Sequence, residues 1–152
     1  MVAMQHTQDP LEGPIAAPES PPCLYLPLGL GSVSAGFPSP AEDYADRRLD
    51  LNQYLVRNPV STFFFKVRGD SMQDAQIFDG DVLVVDRSIE ACHGHIVVAF
   101  VNGERLVKRL YRRGGRVALL AENKAYPPLV LTDGAELEIW GVVIGLAKRI
   151  AG

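Results

Sequence analysis

Residues 95–111, HIVVAFVNGERLVKRLY, contain the pattern that decides the fold. Two runs rich in apolar and β-branched residues, His95–Val101 and Glu104–Tyr111, flank Asn102-Gly103, a dipeptide that favours the two-residue turn of an antiparallel hairpin. Comparable short runs predict further strands at Thr62–Arg68, Val82–Asp86, Arg116–Ala121 and Leu137–Ile150. No helical pattern separates these runs. The sequence therefore predicts a mostly β domain whose antiparallel sheet forms a small barrel or a bent sheet.

The chain divides by composition near residue 40. Eight of the eleven prolines lie in residues 1–40, and the first basic residue is Arg47. This composition predicts a flexible N-terminal arm over residues 1–40, followed by a folded domain over residues 41–152. The apolar run Leu24–Leu30 indicates that part of the arm docks on something. At the start of the domain, Asp50 is a predicted N-cap for a short helix that continues to Val56 and ends before Pro59.

The overall composition limits the classes of function. The net charge is -3 and 47% of the residues are hydrophobic, which gives no general reason to expect binding to nucleic acid or to a membrane. Two cysteines, Cys23 and Cys92, favour a reduced, cytoplasmic protein without disulfides. Residues 24–35 imitate a secretory leader that ends in Val33-Ser34-Ala35, although the basic segment of a leader is missing. Export, with the leader removed by another peptidase, is therefore an alternative.

The strand after the hairpin turn contains a lysine in an unusual position. Successive strand residues point to opposite faces, which places Leu106, Lys108 and Leu110 on one face and Arg105, Val107 and Arg109 on the other, expected to be solvent-exposed. Burial disfavours an ammonium group and lowers the pKa of a lysine, and a neutral lysine can act as a general base. Half-neutrality at pH 7 requires the pKa of Lys108 to fall by about 3.4 from its reference value. The alternative is that the ammonium group reaches past the leucines into water.

A candidate nucleophile lies in the segment VRGDSMQDAQIFDGD, residues 67–81. Ser71 follows a predicted strand and the turn residues Gly69-Asp70, so its hydroxyl and nearby backbone N–H groups could face a carbonyl. A serine, histidine and aspartate triad with His93 or His95 is an alternative. Cys92-His93-Gly94-His95 offers three metal ligands, but their close spacing favours a turn with exposed imidazoles. A further alternative is a β module that only binds a partner, in which Ser71 is an ordinary turn residue.

Four ordered motifs resemble a known family. They are GFPSPAEDYADRRLDLNQYLVRNP at 36–59, VRGDSMQDAQIFDGDVLVVDRSIEACHGHIVVAFVNGE at 67–104, LVKRL at 106–110 and GVVIGLAKRI at 141–150. In this order they are similar to the UmuD proteins, the SOS-mutagenesis members of the LexA-like self-cleaving serine peptidases. The resemblance extends from about Ala35 to the C-terminus and leaves the first thirty or so residues uncovered.

The resemblance implies a catalytic dyad and a cleavage site. Ser71 in GDSM corresponds to the nucleophile and Lys108 in LVKRL to the general base, and we expect the backbone N–H groups of Asp70 and Ser71 to hold the oxyanion. The scissile bond corresponds to Ala35-Gly36. UmuD proteins have cysteine before this glycine, whereas alanine is typical of LexA-type repressors, and both are small. No metal or cofactor is implied.

The resemblance also implies partners. A RecA filament on single-stranded DNA would promote self-cleavage, and the shortened chain would act as a homodimer with a UmuC-like Y-family DNA polymerase in error-prone translesion synthesis. No sequence-specific contact with DNA is expected. The proline-rich arm cannot form the helix-turn-helix of a LexA-type repressor, so the sequence disfavours a repressor.

Overall fold

The computed structural model describes residues 11–28, 47–131 and 137–151. Within these ranges the chain forms one short α-helix, α1 (Leu51–Leu55), two short 3-10 helices (Pro59–Ser61 and Gln73–Ala75), and ten strands: β1 (Glu12–Ala16), β2 (Leu26–Leu28), β3 (Arg47–Leu49), β4 (Thr62–Lys66), β5 (Val82–Asp86), β6 (Ile96–Val101), β7 (Glu104–Arg113), β8 (Arg116–Leu120), β9 (Leu129–Val130) and β10 (Leu137–Ala147). Eight strands form one sheet in the order β1-β4-β5-β10-β6-β7-β8-β9, and β2 pairs separately with β3. All of these pairs are antiparallel. The prediction of a mostly β, antiparallel fold is confirmed.

The β6–β7 hairpin has the turn that the sequence predicts. Val101 pairs with Glu104, and the two residues between them, Asn102 and Gly103, have φ angles of 47° and 88°. Both residues are therefore in the left-handed region that this type of turn requires and that Asn and Gly tolerate. Because the turn sets the register, it also determines which β7 residues share a face.

Two apolar clusters of buried residues lie against the sheet. The first is built mainly by β4, β5 and the turn after β4, and the second mainly by β6, β7 and β8. Strand β7 contributes Val107 to the first cluster and Leu106 and Leu110 to the second. The expectation that Val107 faces solvent is therefore wrong, since only 5% of this residue is exposed. Both faces of β7 are therefore covered near its middle. The alternation of apolar and polar residues within β7 alone does not predict this.

Asp50 caps α1 as the sequence predicts. Its Oδ1 accepts a hydrogen bond from the backbone N–H of Asn52 at 2.9 Å, and the helix ends at Leu55, before Pro59. The Asp50 carboxylate also accepts the N–H of Leu24 at 3.3 Å, and β2 pairs with β3. Residues 24–28 of the arm therefore lie against the beginning of the domain, where the Tyr25 hydroxyl also donates to Gln53 Oε1 at 2.8 Å.

Strand β1 is a finding that the sequence did not predict. Residues 12–16 pair with β4 at the edge of the large sheet, and the flanking Leu11 and Ala17 are buried. The prediction of a flexible arm over residues 1–40 included this segment, because Gly13 and Pro14 interrupt any strand pattern. The division of the chain at residue 40 stays a prediction.

A buried carboxylate connects the end of β5 with the turn before β4. Asp86 is fully buried and accepts hydrogen bonds from the hydroxyls of Ser61 and Ser88 at 2.7 Å each and from Asn58 Nδ2 at 3.1 Å. Burial by itself raises the pKa of the Asp86 carboxyl, but hydrogen bonds from Ser88, Ser61 and Asn58 outweigh burial and hold this pKa below its usual value.

The variant Asp86→Asn is expected to lower the free energy of unfolding by about 1–3 kcal/mol at neutral pH, because its buried donors lose their carboxylate acceptor. Since the folded-state pKa lies below the ordinary value of 3.8, the carboxylate stabilises the fold fully above that pH. Its contribution is lost as the pH falls through the folded-state pKa. Urea denaturation should show a wild-type minus variant difference that is constant at neutral pH and shrinks below about pH 4. The exposed Glu104→Gln is the matched control, and a pH-independent difference for Asp86→Asn would contradict the prediction.

Candidate active site

The lysine that the strand pattern singles out is buried. Lys108 is 3% exposed and pairs with Val97 of β6, so its side chain is on the same face as Leu106 and Leu110 of the second cluster. The alternative in which its amine reaches past the leucines into solvent is therefore wrong. A buried amine favours its neutral form, because desolvation penalises the ammonium.

Ser71 is carried by the turn that follows β4. Gly69 begins the turn with φ at 83°, in the region that favours glycine, and its N–H donates to Asp79 Oδ1 at 2.8 Å. A short 3-10 turn, Gln73–Ala75, follows. The turn directs the Ser71 side chain inward, and the residue is only 7% exposed.

The two predicted catalytic side chains meet. Lys108 Nζ lies 2.8 Å from Ser71 Oγ in a buried hydrogen bond, although the residues are 37 positions apart in sequence. This distance is within the range for proton transfer between a nucleophile and its base. The sequence predicted both residues, and the fold brings them together.

The segment between β8 and β9 holds the Ser71 turn from the other side. The N–H of Glu122 donates to the Ser71 carbonyl at 2.9 Å, and the Glu122 carbonyl accepts the N–H of Asp74 at 2.8 Å. Asn123 Nδ2 donates to the Asp70 carbonyl at 2.8 Å, and the Tyr126 hydroxyl donates to Asp70 Oδ1 at 2.6 Å. These contacts fix the backbone on both sides of the Ser71 side chain.

Sequence reasoning missed Asn123 and Tyr126. The segment ENKAYPP, residues 122–128, shows only the features of a turn, since Asn and Pro are common in turns of many kinds. Its contacts with the Ser71 turn span more than fifty residues, and no local pattern reports them. The Tyr126 ring also lies near the predicted dyad, with its centroid 5.8 Å from Lys108 Nζ.

An ion pair fixes this segment to β7. Arg109, the residue after Lys108, contacts Glu122 Oε1 through its Nη2 at 2.9 Å and donates from Nη1 to the Gly94 carbonyl at 2.7 Å. Glu122 therefore contacts both the strand that carries Lys108 and the turn that carries Ser71. This arrangement couples the positions of the two side chains.

The other predicted site residues have different outcomes. Asp70 and Ser71, whose N–H groups we expect to hold the oxyanion, lie in the turn just described, and that assignment stays a prediction. Ala35 and Gly36 lie outside the described residues. In the cysteine and histidine segment, His95 Nδ1 accepts the N–H of Cys92 and His93 Nδ1 accepts the N–H of Arg112, each at 3.1 Å.

These histidine contacts stabilise a turn, and the side chain that meets Ser71 is a lysine. In the described ranges, no three His, Cys, Asp or Glu side chains are grouped to hold a metal ion, and no helix is long and apolar enough to cross a membrane.

The family model for Peptidase S24-like proteins matches residues 27–144. The chain belongs to the Peptidase S24-like family. This match covers the Ser71 turn, β7 and the segment between β8 and β9, so every element of the candidate site lies within the family region. As a member of the LexA-like S24 family, the chain is a serine peptidase by family.

Sequence identity to individual proteins shows which members of the S24 family this chain is similar to. It is 50% identical to protein MucA of Salmonella typhimurium over 119 residues, which cover 78% of the chain and 81% of MucA. It is 45% identical to protein SamA of Salmonella typhimurium over 136 residues, covering 89% of the chain and 94% of SamA. It is also 41% identical to the LexA repressor of Bordetella pertussis over 125 residues, covering 82% of the chain and 57% of the repressor. MucA and SamA are UmuD-like SOS mutagenesis proteins, so the resemblance seen in the sequence is confirmed.

The buried amine gives a stability prediction for the S24 domain. Replacing Lys108 by Met keeps the volume and the apolar stem and removes a buried amine that contacts Ser71 Oγ, so the fold should be retained. We expect Lys108→Met to leave the free energy of unfolding unchanged or to raise it by about 1–2 kcal/mol, as measured by urea denaturation. Lys108→Glu, which buries a carboxylate at the same position, should destabilise the fold. A loss above about 2 kcal/mol in Lys108→Met would show that the amine itself stabilises the fold.

Proposed function

We propose that this chain cleaves its own Ala35-Gly36 bond in the SOS response, with Ser71 as the nucleophile and Lys108 as the general base. The observation that carries the proposal is the buried 2.8 Å contact between Ser71 Oγ and Lys108 Nζ. Serine is a weak nucleophile by itself and needs an adjacent base to act. A lysine can be that base when it is neutral, and burial of its amine favours the neutral form.

The proposed reaction has two stages. In the first, neutral Lys108 takes the hydroxyl proton of Ser71 while Oγ attacks the carbonyl carbon of Ala35, and the N–H groups of Asp70 and Ser71 bind the oxyanion. Lys108 then gives its proton to the departing amine of Gly36, which leaves an ester between Ser71 and Ala35. In the second stage, Lys108 activates a water molecule that hydrolyses this ester and restores Ser71.

The contacts around the Ser71 turn support this assignment. Oxyanion binding requires donors that are already in place when the charge develops. The carbonyls of Asp70 and Ser71 are bound by Asn123 and Glu122, so the peptide units of the turn have restricted freedom. Among the described residues, no acceptor is found for the N–H groups of Asp70 and Ser71, which is the condition that an oxyanion site requires.

The position of the proposed cut divides the arm from the domain. Leu28 of β2 pairs with Arg47 of β3, so these two residues, on either side of the proposed cut in sequence, are neighbours in the structure. Cleavage after Ala35 would leave β1 and β2 on the N-terminal fragment and β3 on the remaining domain. Ala35 is a small residue, as the resemblance implies for the position before the scissile bond.

The UmuD-like relatives support a place for this chain in SOS mutagenesis, and we propose the partners that this place implies. A RecA filament on single-stranded DNA promotes the cut, and the shortened chain acts as a homodimer with a UmuC-like Y-family DNA polymerase. The net charge of -3 is consistent with a role through protein partners rather than through sequence-specific contact with DNA.

The catalytic assignment predicts which variants lose cleavage. Purified wild-type protein, incubated at about pH 10 or with activated RecA, should yield a fragment that begins at Gly36, as measured by intact-mass spectrometry. Ser71→Ala and Lys108→Ala should each abolish that fragment, because removal of either member of a dyad leaves no activated nucleophile. Lys66→Ala, which removes an exposed lysine of β4, is the matched control and should be cut normally. Cleavage at the wild-type rate in either dyad variant would disprove the assignment.

The rate of self-cleavage without RecA should depend on pH in one direction. Only the neutral amine of Lys108 accepts the Ser71 proton, so the rate should rise about tenfold per pH unit while the ammonium form dominates, and then level off. The rate is measured by quantifying the Gly36 fragment over time at each pH, with circular dichroism as a check that the fold persists. A maximum in acid, or a rate that does not change with pH, would be inconsistent with a lysine base.

A further inference from the structure

Strand β1 covers an edge that the sheet would otherwise expose. It pairs with β4 in the register Ile15 to Phe64 and Ala16 to Phe63, and the N–H of Ala17 donates to the Thr62 carbonyl at 3.1 Å. Since backbone groups alternate in direction along a strand, the N–H groups of Phe64 and Lys66 point toward β1 as well. Without β1, these groups would form an open edge, which is a template for another strand.

Three consecutive residues of this segment have side-chain requirements. Leu11 is 7% exposed and packs in the first apolar cluster, and its N–H donates to the Arg105 carbonyl of β7 at 3.4 Å. Glu12 forms an ion pair with Arg68, just after β4. The site therefore favours an apolar residue, whose N–H reaches β7, followed by an acidic residue beside Arg68 at the end of β4.

The third requirement is glycine at position 13. Its φ angle is 138°, a conformation that other residues rarely adopt. A Cβ atom there would lie 2.7 Å from the Phe64 carbonyl oxygen and 2.9 Å from Phe65 Cδ1. The first of these atoms belongs to the backbone of β4, so it cannot rotate away as a flexible side chain could.

We propose that the β4 edge is a docking site for an extended peptide with the pattern apolar, acidic, glycine, and that residues 11–17 of this chain are its occupant until self-cleavage makes them separable. The separation step rests on the proposed function, since β1 precedes the Ala35-Gly36 bond. In the intact chain, β1 is tethered and its pairing is intramolecular. After the cut, the pairing becomes an association between two molecules and depends on their concentration. The edge then becomes available to other strands of the same pattern.

The docking site can be tested without any cleavage. Full-length Ser71→Ala protein, which keeps β1 attached, is compared with Ser71→Ala/Gly13→Val by hydrogen exchange of individual amides. The added valine should displace β1, so the amides of Phe64 and Lys66 should exchange at least about tenfold faster. The amides of Phe63 and Phe65 face β5 and should keep their rates. Ser71→Ala/Ile15→Val, which changes an exposed side chain of β1, is the matched control and should exchange like Ser71→Ala.

The same docking site can be tested by adding β1 as a separate peptide. A synthetic peptide of residues 11–20, added to the Ser71→Ala/Gly13→Val protein, should restore slow exchange at Phe64 and Lys66, whereas the same peptide with Gly13→Val should not. Unchanged exchange in the Gly13→Val protein would overturn the docking site, as would equal effects of the two peptides. If the amides of residues 63–66 all exchange faster, the Gly13→Val variant has loosened more than the β1 edge. The docking site is then judged by the two peptides, because only a specific site binds the Gly13 peptide and not its Gly13→Val form.

The separation step has its own readout. In wild-type protein that has been cut, exchange at Phe64 and Lys66 should become faster on dilution, because β1 dissociates with its fragment. Slow exchange that is independent of protein concentration would overturn the separation step. If wild-type protein is not cut, the proposed function is disproved and the separation step with it. The measurements on the Ser71→Ala proteins would still test the docking site, because they do not depend on cleavage.

Discussion

The contact between Lys108 Nζ and Ser71 Oγ at 2.8 Å is the constraint on which the candidate site depends. A buried amine is unfavourable for the fold unless it is hydrogen-bonded, so the surrounding structure must hold it beside its partner. Lys108 is central in β7 and is paired with β6 on one side, while the strand continues into pairing with β8 on the other side. The backbone at Lys108 therefore has little freedom, and the orientation of its side chain follows from the register that the Asn102-Gly103 turn sets.

Ser71 is held in a different way, because it lies in a turn rather than in a sheet. The turn is fixed by Asp79 from within its own loop and by Glu122, Asn123 and Tyr126 from the segment after β8. Glu122 also pairs with Arg109 beside the lysine. Ser71 and Lys108 therefore share one support, and a shift of the segment after β8 would move both side chains. This is consistent with the general need to hold reacting groups within a fraction of an ångström.

The sequence predicted what local patterns determine. The bounds of β5, the hairpin turn, the Asp50 cap and the alternation that places Lys108 with two leucines all follow from neighbouring residues. Side-chain supports such as Asn123, Tyr126 and the Asp86 network arise from contacts between distant segments, and their residue types are typical of ordinary turns. Val107 is buried because β4, β5 and the Ser71 turn pack over its face, which alternation within β7 cannot reveal. Strand β1 escaped prediction because the pairing with β4 overrides the poor strand propensity of Gly13 and Pro14.

Strand β1 precedes the proposed scissile bond in the chain, so the proposed cleavage has a structural consequence. Strand β1 completes the edge of the sheet, yet it lies in the part of the chain that a cut after Ala35 would detach. A tethered strand associates at a high effective concentration, whereas a free peptide of the same sequence must offset the loss of translational freedom with the same few contacts. Two buried side chains, Leu11 and Ala17, one exposed ion pair and a short set of backbone hydrogen bonds give a modest interaction. The β1 contacts are thus sufficient for a covalently attached segment and weak for a separated one, so a single peptide bond would control whether the β4 edge is covered.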